Sequence, residues 1–169
     1  MRNFKYLFML FFILTSCWDS KENTETLKFN KARVKTIYGD VLIKFYEEDA
    51  PQTVTRIKSL INKGFYNGLT FHRVIENKLI QTGSPTGELF DGTGSTIINE
   101  ENNHVFEIGS VAMARDESIK NSADSQFFIS LSRLEELNGK YTIFGKVIEG
   151  AELLKRIHVG DKIIQVSLE

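Results

Sequence analysis

From Ala32 to Leu168 the chain is built largely of short runs in which apolar residues alternate, and glycine breaks many of them. Val34, Thr36 and Tyr38, then Val41, Ile43 and Phe45, flank Gly39-Asp40 and read as the two strands of a hairpin. Phe71 to Ile75, Ser125 to Ser130, Lys140 to Val147 and Lys162 to Leu168 add further strands, and Gly109 to Ala114 gives a small-residue strand open to close approach. A period of two buries one face of each strand against a core. Only two stretches depart from it. Asp49-Ala50-Pro51 opens a helix carrying Val54, Ile57, Leu60 and Ile61, with Glu47, Glu48 and Asp49 suited to its positive end and Gly64 to stop it. A second short helix is expected near Ala151 to Ile157. Many strands and two helices predict a mainly β domain, a closed or nearly closed antiparallel barrel with helices over its ends.

Within this pattern one residue is out of place. Alternation puts Phe71, Arg73 and Ile75 on one side of their strand and His72 and Val74 on the other. A guanidinium on an apolar face needs a partner, or else must reach solvent past its neighbours on an edge strand. Gln81 follows in the apolar run Leu79-Ile80-Gln81, and Gln126 shares a strand face with Phe128. Fixed polar side chains set in an apolar surface are the composition of a small binding or catalytic pocket. The glycine-rich stretch from Thr82 to Ser95 would border it; its spacing fits neither a dinucleotide turn nor a phosphate loop.

Other chemistries find no support. A net charge of −1 gives no electrostatic case for nucleic acid as a partner. His72, His104 and His158 stand apart, without carboxylate or cysteine at metal-ligand spacing, so no metal or other cofactor is expected. There is no Gly-x-Ser-x-Gly elbow. The acidic pairs Glu100-Glu101 and Glu135-Glu136 read as solvated loop charges.

Residues 1–16 are of different material. Arg2 and Lys5 precede an apolar run from Tyr6 to Leu14, too short to span a bilayer, and small residues follow. This is the layout of a secretory signal. Leu14-Thr15-Ser16-Cys17 looks like a bacterial lipobox, in which Cys17 is lipidated and becomes the new N-terminus; a chance cysteine after an uncleaved signal is the alternative. Cys17 is the only cysteine, so it has no disulfide partner in the chain. Residues 17–30, polar and without apolar period, would be a flexible tether, and residues 31–169 the domain. The expected location is the bacterial cell envelope, outside the cytoplasm, with a membrane contacted through the lipid anchor.

The ordered blocks Phe71-His-Arg-Val-Ile75, Leu79-Ile-Gln81, Gly83-Ser-Pro-Thr-Gly87, Asp91-Gly-Thr-Gly94, Val111-Ala-Met-Ala114, Ser125-Gln-Phe-Phe-Ile129 and Leu137-Asn-Gly-Lys-Tyr-Thr-Ile-Phe-Gly145 resemble a cyclophilin-type peptidyl-prolyl isomerase, from about residue 32 to the end. The resemblance implies a closed eight-stranded antiparallel barrel capped by two α-helices, with the active groove on its outer surface. It implies that Arg73 and Gln81 are catalytic. Phe71, Leu79, Ala114, Arg115, Gln126, Phe128, Leu137 and Tyr141 would bind substrate, a proline-containing polypeptide. Phe128, Leu79 and Leu137 would line the hole for the proline ring, with Tyr141 at its rim. His72 matches the family motif but is read as structural, since it points away from the Arg73 face. The chain would act as a monomer, without cofactor.

Three positions depart from the family pattern. Lys78 stands where most active members have a pocket Phe, Glu136 where eukaryotic members have Trp, and Arg115 where Asn is common. The missing Trp argues against tight cyclosporin binding. The first expectation is an isomerase that helps exported proteins fold. A proline-peptide-binding module or holdase with little turnover is the alternative, motivated by Lys78. A purely structural or adhesive role would not need Arg73, Gln81 and Phe128 together.

Overall fold

Thr36 and Gly39 face each other at the end of a tight hairpin of β1 (Lys31–Thr36) and β2 (Gly39–Phe45) in the computed structural model, which describes residues 29–169. The expected signal, Cys17 and nearly all of the tether lie outside the described residues. The turn residues are Ile37 and Tyr38, two places earlier than expected. Thr36 Oγ1 accepts the Tyr38 N–H at 3.1 Å and donates to the Gly39 carbonyl at 2.9 Å, and Gly39, at φ 128°, enters β2 directly.

After α1 (Pro51–Asn62) come β3 (Arg73–Ile75), β4 (Leu79–Thr82), β5 (Ser110–Met113), β6 (Phe127–Ser130), β7 (Ile143–Glu149) and β8 (Ile163–Leu168). They form one antiparallel sheet in the order β3-β4-β6-β5-β7-β2-β1-β8. The sheet curls but its edge strands β3 and β8 share no ladder, so the expected closed barrel is not what forms. Its two ends are stitched instead by the segment ahead of β3 and the residues around the start of β8. Phe71 N–H donates to the Asp161 carbonyl (2.8 Å), Gly160 N–H to Phe71 (3.0 Å), Gly68 N–H to Ile163 (2.8 Å) and Ile163 N–H to Leu69 (2.9 Å), around a single Thr70–Lys162 bridge.

The inner sheet face and α1 enclose the main core, with Val34, Ile43, Ile80, Val111, Phe127, Ile129 and Phe144 from the strands against Val54, Ile57, Leu60 and Ile61. Among the described residues α1 is the one α-helix; the expected second helix is a 3-10 segment, Ala151–Arg156, as is Glu135–Leu137. Gly150 at φ 78° starts the former and Ile157 is already extended, and six residues are too few to repay an α-helical nucleus.

The start of α1 corrects two further expectations. Pro51 leads it, but Ala50 has no side chain to cap it and no acid lies in its first turn. Glu100 arrives from a distant loop and accepts the Gln52 and Thr53 N–H groups at 2.9 and 2.7 Å, so it is a helix cap rather than a solvated charge. Glu47 and Asp49 are thereby free for other partners. Glu47 pairs with Lys58 (2.6 Å), whose side chain is 1% exposed, and Asp49 with His104 (2.8 Å), whose ring stacks on Tyr46.

Candidate active site

Because β3 and β4 pair with Arg73 opposite Gln81 and Ile75 opposite Leu79, their outward side chains form one row. The connection passes through Asn77 at φ 58°, a left-handed conformation that asparagine tolerates. β6 extends the row by placing Phe128 opposite Gln81, and β5 adds Ala112 opposite Phe128. These residues face away from the main core. A second apolar cluster, of Leu79, Phe106, Ala112, Phe128, Leu134 and Ile143, supports them from beneath, with Ala114, Leu137 and Tyr141 packed at its edge.

Above this cluster opens a groove of about 1190 Å³. Arg73, Leu79, Gln81, Ala114, Arg115, Gln126, Phe128, Leu137 and Tyr141 all line it, as do Lys78 and Glu136. Phe71 does not. It is 1% exposed within the main core, because the chain at Phe71-His72 has not yet entered β3 and is held to Gly160-Asp161, so the alternation that grouped it with Arg73 begins two residues later.

The polar side of the groove is a connected series. Arg73 is exposed yet held: its Nη1 donates to Gln81 Oε1 at 3.0 Å. Gln81, 4% exposed, donates from Nε2 to Gln126 Oε1 at 2.8 Å. Gln126, 5% exposed, donates from Nε2 to the carbonyls of Glu88 and Asp91 at 2.9 and 2.5 Å. His72 Nε2 also lies 3.1 Å from Gln126 Oε1. An amide oxygen can only accept, so His72 carries its proton on Nε2. His72 itself does not line the groove; it touches the polar series at Gln126. Burial holds the His72 pKa below its ordinary value, against the pull of the Gln126 hydrogen bond.

The apolar side is aromatic. Phe128 stacks on Phe106 (centroids 5.5 Å apart, 10° between planes) and meets Tyr141 edge-on at 5.5 Å. Tyr141 donates to Glu117 Oε1 at 2.5 Å, and the Arg115 guanidinium lies 5.3 Å above its ring while donating to the Lys140 carbonyl. Burial, then the bond to Glu117, pushes the Tyr141 pKa up to about 12, so it stays a neutral donor. Phe106 and Glu117 were not legible as site residues: neither lies in a motif, and each comes from a loop whose path only the fold reveals.

A row of donors ending in an anchored guanidinium, beside an apolar floor open to solvent, can hold an uncharged ring and a carbonyl while presenting a cation to a third atom. Residues 31–166 match the family model described as cyclophilin type peptidyl-prolyl cis-trans isomerase/CLD. Peptidyl-prolyl cis-trans isomerase B of Bacillus subtilis is 43% identical over 128 residues, 75% of this chain and 88% of that protein. A peptidyl-prolyl cis-trans isomerase of Helicobacter pylori is 38% identical over 153 residues, 88% of this chain and 92% of that protein. Among solved structures, a cyclophilin type peptidyl-prolyl cis-trans isomerase of Cryptosporidium parvum superposes with a TM-score of 0.78 at 29% identity, covering 83% of this chain and 98% of that one. The chain belongs to the cyclophilin-type peptidyl-prolyl cis-trans isomerases.

Proposed function

We propose that this chain isomerises X-Pro bonds in exported proteins as they fold, and that Arg73 and Gln81 carry the chemistry without a covalent step. The observation behind this reading is the Arg73–Gln81 pair set at the rim of an apolar floor. An X-Pro amide resists rotation by about 18–20 kcal/mol because of resonance. Twisting it to ninety degrees returns a lone pair to the prolyl nitrogen. A fixed cationic donor near that nitrogen favours the twisted amide over both planar ones, which is the differential binding that catalysis requires. Gln81 supplies the fixing, and the remaining N–H of its amide would meet the carbonyl before the proline. Phe128, Leu79 and Leu137 hold the ring and Tyr141 closes the rim. The Ala114 N–H is already given to the Gln126 carbonyl, which leaves the Ala114 carbonyl and the Arg115 N–H to hold the peptide as an added strand.

The protein would work as a monomer tethered to a membrane of the bacterial envelope, outside the cytoplasm. Support for the tether comes from the signal-like residues 1–16, Cys17 as the lone cysteine, and a polar linker that runs to the start of β1. Mass spectrometry of the mature N-terminus tests it: a diacylated Cys17 is expected, and an intact Met1 or a cut elsewhere refutes the anchor.

A protease-coupled proline isomerisation assay on residues 17–169 tests the activity. Acceleration over the spontaneous rate is expected, with a loss of about 100-fold in Arg73→Ala at unchanged folding. One observation favours a second reading. Lys78 lines the groove with an exposed side chain, so one wall of the proline pocket is not apolar. Peptide binding without any acceleration would make the protein a proline-peptide-binding module or holdase.

A further inference from the structure

Asp124 lies two residues before Gln126, and its carboxylate gathers four donors. Oδ1 accepts from Arg56 Nη2 at 3.1 Å and from the Thr93 hydroxyl at 2.5 Å; Oδ2 accepts the Gly94 and Ser95 N–H groups at 2.7 and 3.1 Å. Arg56, on α1, also donates to Thr93 Oγ1 and, at 3.3 Å, to the Ser95 carbonyl. The two side chains are 21% and 13% exposed, so this pair is more sheltered than an ordinary surface bridge, and both its oxygens are used. Gly92 is fitted to it as well. A Cβ there would come within 2.5 Å of Asp124 Oδ2.

What this clamp holds is a wall of the groove, since Gly92, Thr93, Gly94 and Asp124 all line it. The residue just ahead of the clamped loop, Asp91, gives its carbonyl to Gln126 Nε2, as Glu88 does. Those two bonds, together with the one from His72 Nε2 to the amide oxygen, decide how the Gln126 amide is turned, with nitrogen to the loop and oxygen to Gln81. Gln81 must then offer nitrogen to Gln126 and oxygen to Arg73. The orientation of the guanidinium's partner is therefore inherited in part from the position of the loop, which alone among the described residues holds the Gln126 nitrogen. A loop free to drift by an ångström would release it, and misplacement on that scale is costly in catalysis.

We propose that Arg56 and Asp124 are positioning residues for X-Pro isomerisation, acting through the 88–95 loop, Gln126 and Gln81 on Arg73. This rests on the assignment of Arg73 above. Neither residue could be marked from the sequence, where Arg56 is a helix-surface cation and Asp124 the end of a polar loop.

The test compares Asp124→Asn, Arg56→Met, Arg56→Lys and the Asp124→Asn/Arg56→Met double variant with Arg33→Ala, which removes the exposed Arg33–Glu169 pair far from the groove. Kinetics with a proline tetrapeptide are read beside the side-chain amide resonances of Gln81 and Gln126. Expected are a roughly tenfold fall in kcat in each charge-removing single variant with KM within about twofold, and no further fall in the double variant. Partial recovery in Arg56→Lys, displaced amide resonances in the impaired variants and no change in Arg33→Ala complete the expected pattern. Unmoved amide resonances in folded Asp124→Asn, a wild-type kcat, or losses that multiply in the double variant overturn the proposal. Should Asp124→Asn fail to fold, Arg56→Met and Arg56→Lys give the same reading with the carboxylate in place. Full activity in Arg73→Ala would instead refute the assignment of Arg73, and the amide resonances would still report whether the clamp sets Gln126.

Discussion

Arg73 and Gln81 face each other across the β3–β4 ladder, and the guanidinium gives the amide oxygen a 3.0 Å hydrogen bond. The amide is not free to turn over, because its nitrogen is engaged by Gln126 at 2.8 Å. Gln81→Leu keeps the volume but removes both bonds. Its kcat should fall by about tenfold, less than for Arg73→Ala, since the cation stays while its aim is lost. Gln81→Glu separates the two bonds: it keeps an acceptor for Arg73 but presents a carboxylate to the Gln126 oxygen. Retention of more than half the wild-type kcat in Gln81→Leu would remove Gln81 from the catalytic set.

Lys78 borders the same groove, and no ion pair holds it among the described residues. Its stem can lie over a proline ring with the ammonium in water, which covers the ring only in part. Lys78→Phe would add apolar area to the wall of the groove proposed to hold the ring. At about 25 cal/mol per Å² and a few tens of Å² of extra burial, the gain is about 1 kcal/mol. KM for a proline peptide should drop about fivefold with kcat nearly unchanged. An unchanged KM would mean that the ring does not lie against residue 78.

What the sequence disclosed and what it withheld follow one physical division. Arg73, Gln81 and Phe128 sit in strands, where a period of two determines the facing side, Gln126 immediately precedes one, and all four line one groove. Phe71 was misjudged by the same rule because the strand it was assigned to begins only at Arg73. Residues that act from loops left no periodic trace. Glu100 caps a helix 47 positions earlier in the chain, and Asp124 binds a loop 30 positions earlier. Such long-range polar pairings depend on where the fold brings two irregular segments together, and neither composition nor spacing encodes that. The seam between the two ends of the sheet was hidden for the same reason, since its bonds lie ahead of β3 and no further into β8 than Ile163.

His72 makes stability depend on pH. Burial lowers its folded pKa below the ordinary 6.5, so between those two values the unfolded chain holds a proton that the folded one does not. The contribution is fully present above pH 6.5 and is lost as the pH falls through the folded value. His72→Gln can still donate to Gln126 but does not titrate. Melting temperatures taken from pH 7.5 downward should therefore fall more steeply for the wild type than for His72→Gln once the pH passes below 6.5. Parallel curves would mean that the imidazole is solvated in the folded protein.

Lys58 and Glu47 form a lopsided pair: the lysine is 1% exposed and the glutamate side chain 39%. The ammonium also lies 5.8 Å from the centre of the Phe45 ring. Removing the two partners should have unequal effects. Among the described residues Glu47→Ala leaves the buried cation only a ring face for company, and a loss of about 3 kcal/mol is expected from the desolvation that the carboxylate no longer offsets. Lys58→Met replaces the stem with an apolar chain of similar length and leaves Glu47 able to turn into water. That variant should lie within about 1 kcal/mol of the wild type. Urea unfolding of both variants at pH 7 checks the asymmetry. Equal losses would show that the pair is stabilised by its mutual attraction, and not held merely because a buried ammonium cannot be left alone.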